Sequence, residues 1–425
     1  MATVEALIDN RKEAVALRPW QHSAIFFAAC ALLIARRWDA IFHAQFYAED
    51  GRVFFADAYN QGWLHSMFHA YAGYLHTFSR IGAAFALALP FAGVPLFFSV
   101  ISLLCTAFTV SILMSSRSAD WGPLGFRALL AASFVALPNC REVSWGLTNT
   151  ITLLSLNALL VVIARIPRSR LGLILDSLLL LVSGLNGPFC IFMVPISGYL
   201  LLKERNLARA IQTSVLVFAT SVQAIFLLFL DAHVRSHSSL GASPLMLLKL
   251  MGGHIFLGAE IGSNTLASSG DPGVGRFLAF VSVFCLALVI HCLKYAERPF
   301  RLLLLYALML YSACLVLPLQ MNTSRAGVWQ VLATVPGHRY WFVPTLCFVW
   351  SLIWLAWHRR GLSMIASFAL LAVMVSVGIV RDWEIPKLYE SHFAHSVMLF
   401  QAAAPGTSLT LPEGCPGWYM RIVKH

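Results

Sequence analysis

Apolar residues along this chain come in long blocks separated by short polar connections. The blocks cover residues 22–36, 78–114, 126–138, 148–164, 171–185, 188–202, 210–230, 277–293, 300–318, 341–357 and 362–380. About 20 apolar residues carry a helix across the roughly 30 Å hydrocarbon core of a bilayer. Lipid offers the backbone no hydrogen-bond partners, so such blocks have to be helical. The pattern predicts an all-α, polytopic integral membrane protein with about eleven crossings, within a range of about nine to thirteen. Block 78–114 is too long for one straight helix, and Pro90 and Pro95 predict a hairpin or a kink inside it. Residues 1–380 read as one transmembrane module, and 381–425 as a short C-terminal tail.

Composition agrees with the blocks. Of the 425 residues, 59% are hydrophobic and 12% charged, with a mean hydropathy of +0.75, whereas soluble domains carry about 25% charged residues. The net charge of +11 reports topology. Basic residues gather in the N-terminal tail (Arg11, Lys12, Arg18) and in short connections: Arg165, Arg168 and Arg170; Lys203, Arg205 and Arg209; Lys294, Arg298 and Arg301; Arg359 and Arg360. The positive-inside rule turns these toward the cytoplasm, which puts the N-terminus inside and the C-terminus outside. The long outer segments are then 37–77, 231–276, 319–340 and 381–425. Arg36 and Arg37 fall outside against the rule, beside Trp38 and Asp39, as in an interfacial turn. The charges form no contiguous basic face interleaved with aromatics, so nucleic acid is not an expected partner. The nine cysteines stand singly and spell neither a disulfide framework nor a zinc site. The apolar stretch from about Ala24 follows about twenty mixed polar residues, as in a signal anchor.

Chemistry should gather in the outer segments. The first, 37–77, carries the acidic pair Glu49-Asp50 between aromatic residues and Gly51, and from Arg52 to Trp63 apolar residues recur at helical spacing, as in an interfacial amphipathic helix. A carboxylate here suits a general base or a metal ligand, since burial beside hydrocarbon and a second carboxylate both raise its pKa. An acidic pair also caps a helix N-terminus, and the spacing does not separate these uses. The loop ends in Tyr71-Ala72-Gly73-Tyr74-Leu75-His76 and Arg80. At the mouth of a late block stands Pro336-Gly337-His338-Arg339-Tyr340-Trp341, where an arginine could grip a phosphate or simply anchor a helix end. Two more polar breaks share that side, Pro138–Asn149 and Ser183–Phe189. In them Arg141 and Glu142 are expected to pair with each other, while Asn149 and Asn186 suit sugar hydroxyls or helix–helix contacts. His254 and Glu260 form a weaker pair, and His22, His291 and His358 read as interfacial.

Together these features resemble the GT-C glycosyltransferases, polytopic enzymes that use polyprenyl-phosphate-linked sugars. The likeness rests on AEDGRVFFADAYNQGW, AGYLHTFSR, PNCREVSWGLTN, GLNGPF and LPEGCPGWYM. It implies an inverting transferase in a bacterial inner membrane, passing a sugar to a glycan or glycolipid of the cell envelope at the outer face. The resemblance puts the base on Asp50 or Glu49; with Asp50 taken as the base, Glu49 orients the acceptor or, with Asp50, binds a divalent cation (Mg or Mn). Arg339, helped by His338 or Arg80, holds the donor phosphate, and Tyr74, Asn149, Asn186 and Tyr340 contact substrate. Many GT-C members carry a large outer C-terminal domain, and here only about 45 residues follow the last block. The alternative is a transporter or flippase of a lipid-linked or anionic substrate, against which stand the absence of repeats and the acidic pair's place in a loop.

Overall fold

The computed structural model describes residues 17–143, 146–230, 238–317, 327–334 and 338–425; the side chains of residues 230 and 338 lie outside the description, as do Arg11, Lys12, Pro336 and Gly337. The chain is mostly helical, and among the described residues seven helices are long and apolar enough to cross a membrane: Phe91–Met114, Leu207–Phe229, Pro244–Ile261, Pro272–Tyr295, Arg298–Val316, Arg339–His358 and Leu362–Asp382. A multi-pass membrane protein follows from these lengths. The count of about eleven does not, because Pro19–Arg36, Leu124–Val135, Thr150–Ile163, Arg170–Gly184 and Cys190–Glu204 are shorter or less apolar.

The long block 78–114 divides at Pro90 into Thr77–Ala86 and Val94–Met114, and Pro95 sits harmlessly in the first turn of the second helix. One expectation is corrected. Residues 231–276 read as an outer loop, yet they contain the 18-residue Pro244–Ile261 helix. Lys249, Gly252, Gly253, His254 and Glu260 dilute its apolar pattern. Before it, Ser239 and Leu240 accept hydrogen bonds from Val328 and Trp329, and after it Ser263 donates to Asp382. Both neighbours lie at one end of the bundle, because Arg339–His358 and Leu362–Asp382 form an antiparallel pair. The helix therefore lies across the bundle.

At the opposite end the basic connections converge. Arg117 pairs with Asp176, Arg165 with Asp120, and Glu204 with both Arg209 and Arg298. Helices leave their last carbonyls unbonded, and in an apolar bundle three buried arginines supply the donors. Arg127 serves Leu113, Ser115 and Gly122, and Arg209 serves Val162 and Ala164. Arg36 ties Val135 (2.5 Å) and Leu137 (3.1 Å) to Asp382 (3.0 Å) and Trp383 (3.2 Å).

The fold departs from all-α in its last residues, where strands Ser408–Pro412 and Tyr419–Val423 pair antiparallel, Ser408 opposite Val423 and Pro412 opposite Tyr419. Residues 381–425 are also not a separate tail. They run back along the first outer loop, with Ile385 donating to Arg36, Gly414 to Phe46, and Asn60 exchanging bonds with Arg421 and Val423. Leu411, Met420 and Ile422 bury against Phe46, Phe54 and Phe55 in a second core. The expected amphipathic helix is present as a π-helical turn, Asp50–Phe55, continued by Ala56–Gln61. It stops at Gly62, whose φ of +89° favours glycine. Beyond it Trp63, Leu64 and Phe68 are exposed, as an interfacial anchor requires.

Arg36→Ala should cost at least about 2 kcal/mol, since two buried and two part-buried carbonyls lose their donor. Arg36→Lys should recover only part, lacking the planar fork. Thermal unfolding of both variants in detergent micelles measures this; a lysine variant as stable as the parent would contradict the fork argument.

Candidate functional site

The first loop reaches the acidic pair through Ala48, whose φ of +48° is uncommon for a residue with a side chain. The turn after it sends the two carboxylates to different places. Asp50 is 2% exposed. Its Oδ1 accepts from the Thr148 amide (2.7 Å) and hydroxyl (2.6 Å), and its Oδ2 from the Leu147 amide (2.9 Å). This clamp needs Gly146, which has a φ of +98° and would bring a Cβ to 3.2 Å from Asp50 Oδ2. Burial pushes the Asp50 carboxyl up to about 7, against the three hydrogen bonds, which lower it. Glu49 remains half-buried and receives the Tyr71 hydroxyl at 3.4 Å.

Glu49 lines a cavity of about 320 Å³. Its walls are apolar, with Ile151, Phe189, Ile191, Leu227, Leu310 and Leu317, and its polar groups include Tyr71, Tyr74, His76, Thr148, Asn149, Arg339 and Tyr340. The 71–76 strip is placed by a tight turn in which Ala72 and Gly73 both have positive φ. Buried Gln223 then grips both faces of the Leu75 peptide, accepting at 3.0 Å and donating at 3.2 Å. Arg339 opens the Arg339–His358 helix. Its side chain is 44% exposed, 3.5 Å from Glu142 and stacked over Tyr340. Glu142, expected to pair with Arg141, is thus an Arg339 partner.

Five expected site residues therefore meet in one cavity: Glu49, Tyr74, Asn149, Arg339 and Tyr340. Asp50 sits one hydrogen bond behind its wall, through Thr148. Two others are placed elsewhere. Arg80 is buried on Asp57 (2.6 Å) and the His69 carbonyl (3.2 Å), with Phe54 beneath its guanidinium, so its charge is already matched. Asn186 uses its side-chain oxygen on the Phe78 and Ser79 amides, the free N–H groups that open the Thr77–Ala86 helix. The His338 side chain lies outside the described residues. His254 stacks flat on Trp341 at 4.9 Å, outside the cavity lining.

The sequence reading missed two groups. His76 is buried among Phe54, Tyr71 and Tyr74, and burial together with the charges of Arg80 and Arg339 lowers its pKa to about 3, so it is a neutral imidazole. Glu413, from the turn of the C-terminal hairpin, is 1% exposed and packs against Gly51. Neither stands in a spacing that marks it. Their proximity to the acidic pair arises only through folding.

Among the described residues no three His, Cys, Asp or Glu side chains gather as a metal ion requires. Asp50 has its oxygens engaged by three donors, so the acidic pair does not fit the divalent cation that the resemblance implied. No known protein family matches this chain, and no curated protein matches it.

Asp50→Asn should cost about 1–3 kcal/mol, because an amide nitrogen would face an N–H or O–H donor in a buried site. Gly146→Ala should also destabilise, through its positive φ and the close Asp50 oxygen. Melting temperatures of the two variants test the clamp, and an Asp50→Asn protein as stable as the parent would count against it.

Proposed function

We propose that this chain is an inverting glycosyltransferase, moving a sugar from a polyprenyl-phosphate donor to a cell-envelope acceptor. The observation that carries the reading is the cavity itself: long apolar walls ending in a carboxylate, an arginine and a cluster of tyrosine, asparagine and neutral histidine. Such a cavity suits a lipid chain joined to an anionic group and a polyol.

In this reading the donor phosphate lies on Arg339, whose fork exchanges Glu142 for phosphate oxygens. Glu49 is the base, in place of the Asp50 of the resemblance, because it is the carboxylate that lines the cavity. It takes the proton of an acceptor hydroxyl as that oxygen bonds to the anomeric carbon. The carbon–phosphate oxygen bond breaks on the opposite face, its electron pair leaves with the phosphate, and the configuration inverts. Tyr74, Asn149 and Tyr340 contact the substrate, and Asp50 fixes the loop that carries Thr148 and Asn149. The positive-inside rule makes the basic end cytoplasmic and the cavity end periplasmic, in a bacterial inner membrane. The reading takes an odd number of crossings, about eleven, with the C-terminus outside. A flippase would use the same cavity without bond-making, and the base test below separates the two.

Glu49→Gln should lower sugar transfer by roughly 10²–10⁴-fold, the usual worth of a general base, with an unchanged melting temperature. Arg339→Ala should weaken undecaprenyl phosphate binding in mixed micelles by roughly 10- to 100-fold, and Arg339→Lys by less. Full transfer by Glu49→Gln beside a dead, well-folded Asp50→Asn would return the base to Asp50. Lipid export without any transfer product would favour the flippase.

A further inference from the structure

The C-terminal hairpin delivers one group that no step above uses. Glu413 sits at the hairpin's turn, 1% exposed, with the Arg52 backbone amide as its near donor and no well-formed hydrogen bond to either carboxylate oxygen among the described residues. A Cβ at position 51 would stand 2.6 Å from its Oε1, so the side chain occupies the space that glycine leaves beside Asp50. The neighbouring backbone is tied down on both sides: the Glu413 amide donates to the Trp418 carbonyl at 3.1 Å, and Gly414 donates to the Phe46 carbonyl at 2.8 Å.

We propose that Glu413 is a positioning residue of this site, a carboxyl that the hairpin wedges against Gly51 to fix how the Glu49–Asp50 pair is presented. The inference rests on the transferase reading only for its catalytic consequence; the wedge itself is independent of the reaction. A structural filler would be apolar, because a carboxyl without a well-formed hydrogen bond is costly to bury. A carboxyl is tolerated here as a neutral acid. Burial, then the charges of Asp50 and Glu49, push it up to about 9, while the nearby Arg52 works the other way. Cys415, two residues on, is the remaining titratable group facing it. The neutral acid adds no third negative charge beside the pair, yet keeps a polar group against the loop.

The sign of the pH dependence follows. Glu413 is raised in the folded protein above its ordinary value of 4.5, so its contribution to hairpin docking is complete below that value and is lost as pH rises through about 9. Within that window the docked-to-undocked ratio should fall by up to about tenfold per pH unit. Glu413→Gln imitates the neutral acid and removes the titration.

The test uses full-length protein in detergent micelles. Three readouts are taken between pH 5 and 9.5: melting temperature, the rate of Cys415 alkylation by a maleimide, and Glu49 coupling to a water-soluble carbodiimide with an amine, read by mass spectrometry. The parent should lose stability and expose Cys415 as pH rises, the alkylation rate being taken relative to that of the unfolded protein at the same pH, because the thiolate is the reacting form. Glu413→Gln should lose clearly less of both above pH 8 and keep the parent's Glu49 coupling rate at pH 5. Glu413→Ala should change that coupling rate several-fold while still melting cooperatively. A Gln variant with the parent's full alkaline loss overturns the proposal, as does a folded Ala variant with unaltered Glu49 coupling. Should Ala fail to fold, the Gln comparison alone decides. None of these readouts needs a sugar donor, so the wedge can fail while the transferase reading stands, and the reverse.

Discussion

The constraint on which this structure depends is that helix ends inside an apolar bundle leave carbonyls with no water to bond. Buried arginines meet it. Arg36, Arg127 and Arg209 each place a guanidinium on two to four carbonyls that end different segments. A guanidinium has five donors in a fixed fork, so one residue can gather several chain ends. Arg36 joins the end of the first helix, the Val135–Leu137 corner and the Asp382–Trp383 turn. Those three ends frame the segments from which the first loop, the Asn139–Asn149 break and the C-terminal hairpin depart. Charge along this chain is therefore partly architecture, which a topology rule alone does not reveal.

Given that frame, the site is built from connections. The first loop, the 146–149 turn, the 71–76 strip and the start of the Arg339–His358 helix each lie where one helix hands over to the next. Loops can approach one another there because a few special backbone positions permit it, notably Gly146 against Asp50 and Gly51 against Glu413. Gln223, in the middle of an apolar block, then holds the strip by a peptide clamp. The apolar walls come from the helices and the polar end from the connections, which is why one cavity has both characters.

Much of this was legible from the order of residues. Apolar blocks locate helices because a buried helix has to be apolar on nearly every face, and Pro90 marks a break because it cannot donate to the ladder. Pro244–Ile261 escaped because three glycines, a lysine, a histidine and a glutamate interrupt its apolar run, and only packing against neighbouring helices shows it to be continuous. Glu49, Tyr74, Asn149, Arg339 and Tyr340 were legible because polar groups at block edges must face either protein partners or a wet space. The same rule does not place Arg80 and Asn186, which lie outside the cavity lining and turn to Asp57 and to the opening amides of a helix. LPEGCPGWYM stood out as a segment, yet the place of Glu413 beside the acidic pair was not legible, for a different reason. Their contacts join residues more than 350 positions apart, and no local pattern encodes such a meeting.

The acidic pair shows how one dipeptide can hold two roles. Successive residues on a helical turn point in different directions, and here Glu49 lines the cavity while Asp50 does not. Asp50 turns inward, where three donors hold it, and that clamp orders the turn bearing Thr148 and Asn149. Glu49 turns toward the cavity and keeps an oxygen for whatever enters. A lone carboxylate at this position would have to choose between anchoring the loop and meeting a ligand, because an oxygen that accepts from buried amides and a hydroxyl is not open to a ligand in the cavity. Splitting the tasks between neighbours separates anchoring from chemistry. The rigidity that Asp50 gives the 146–149 turn is then what keeps Glu49, half-buried and lightly bonded, in one place relative to Arg339.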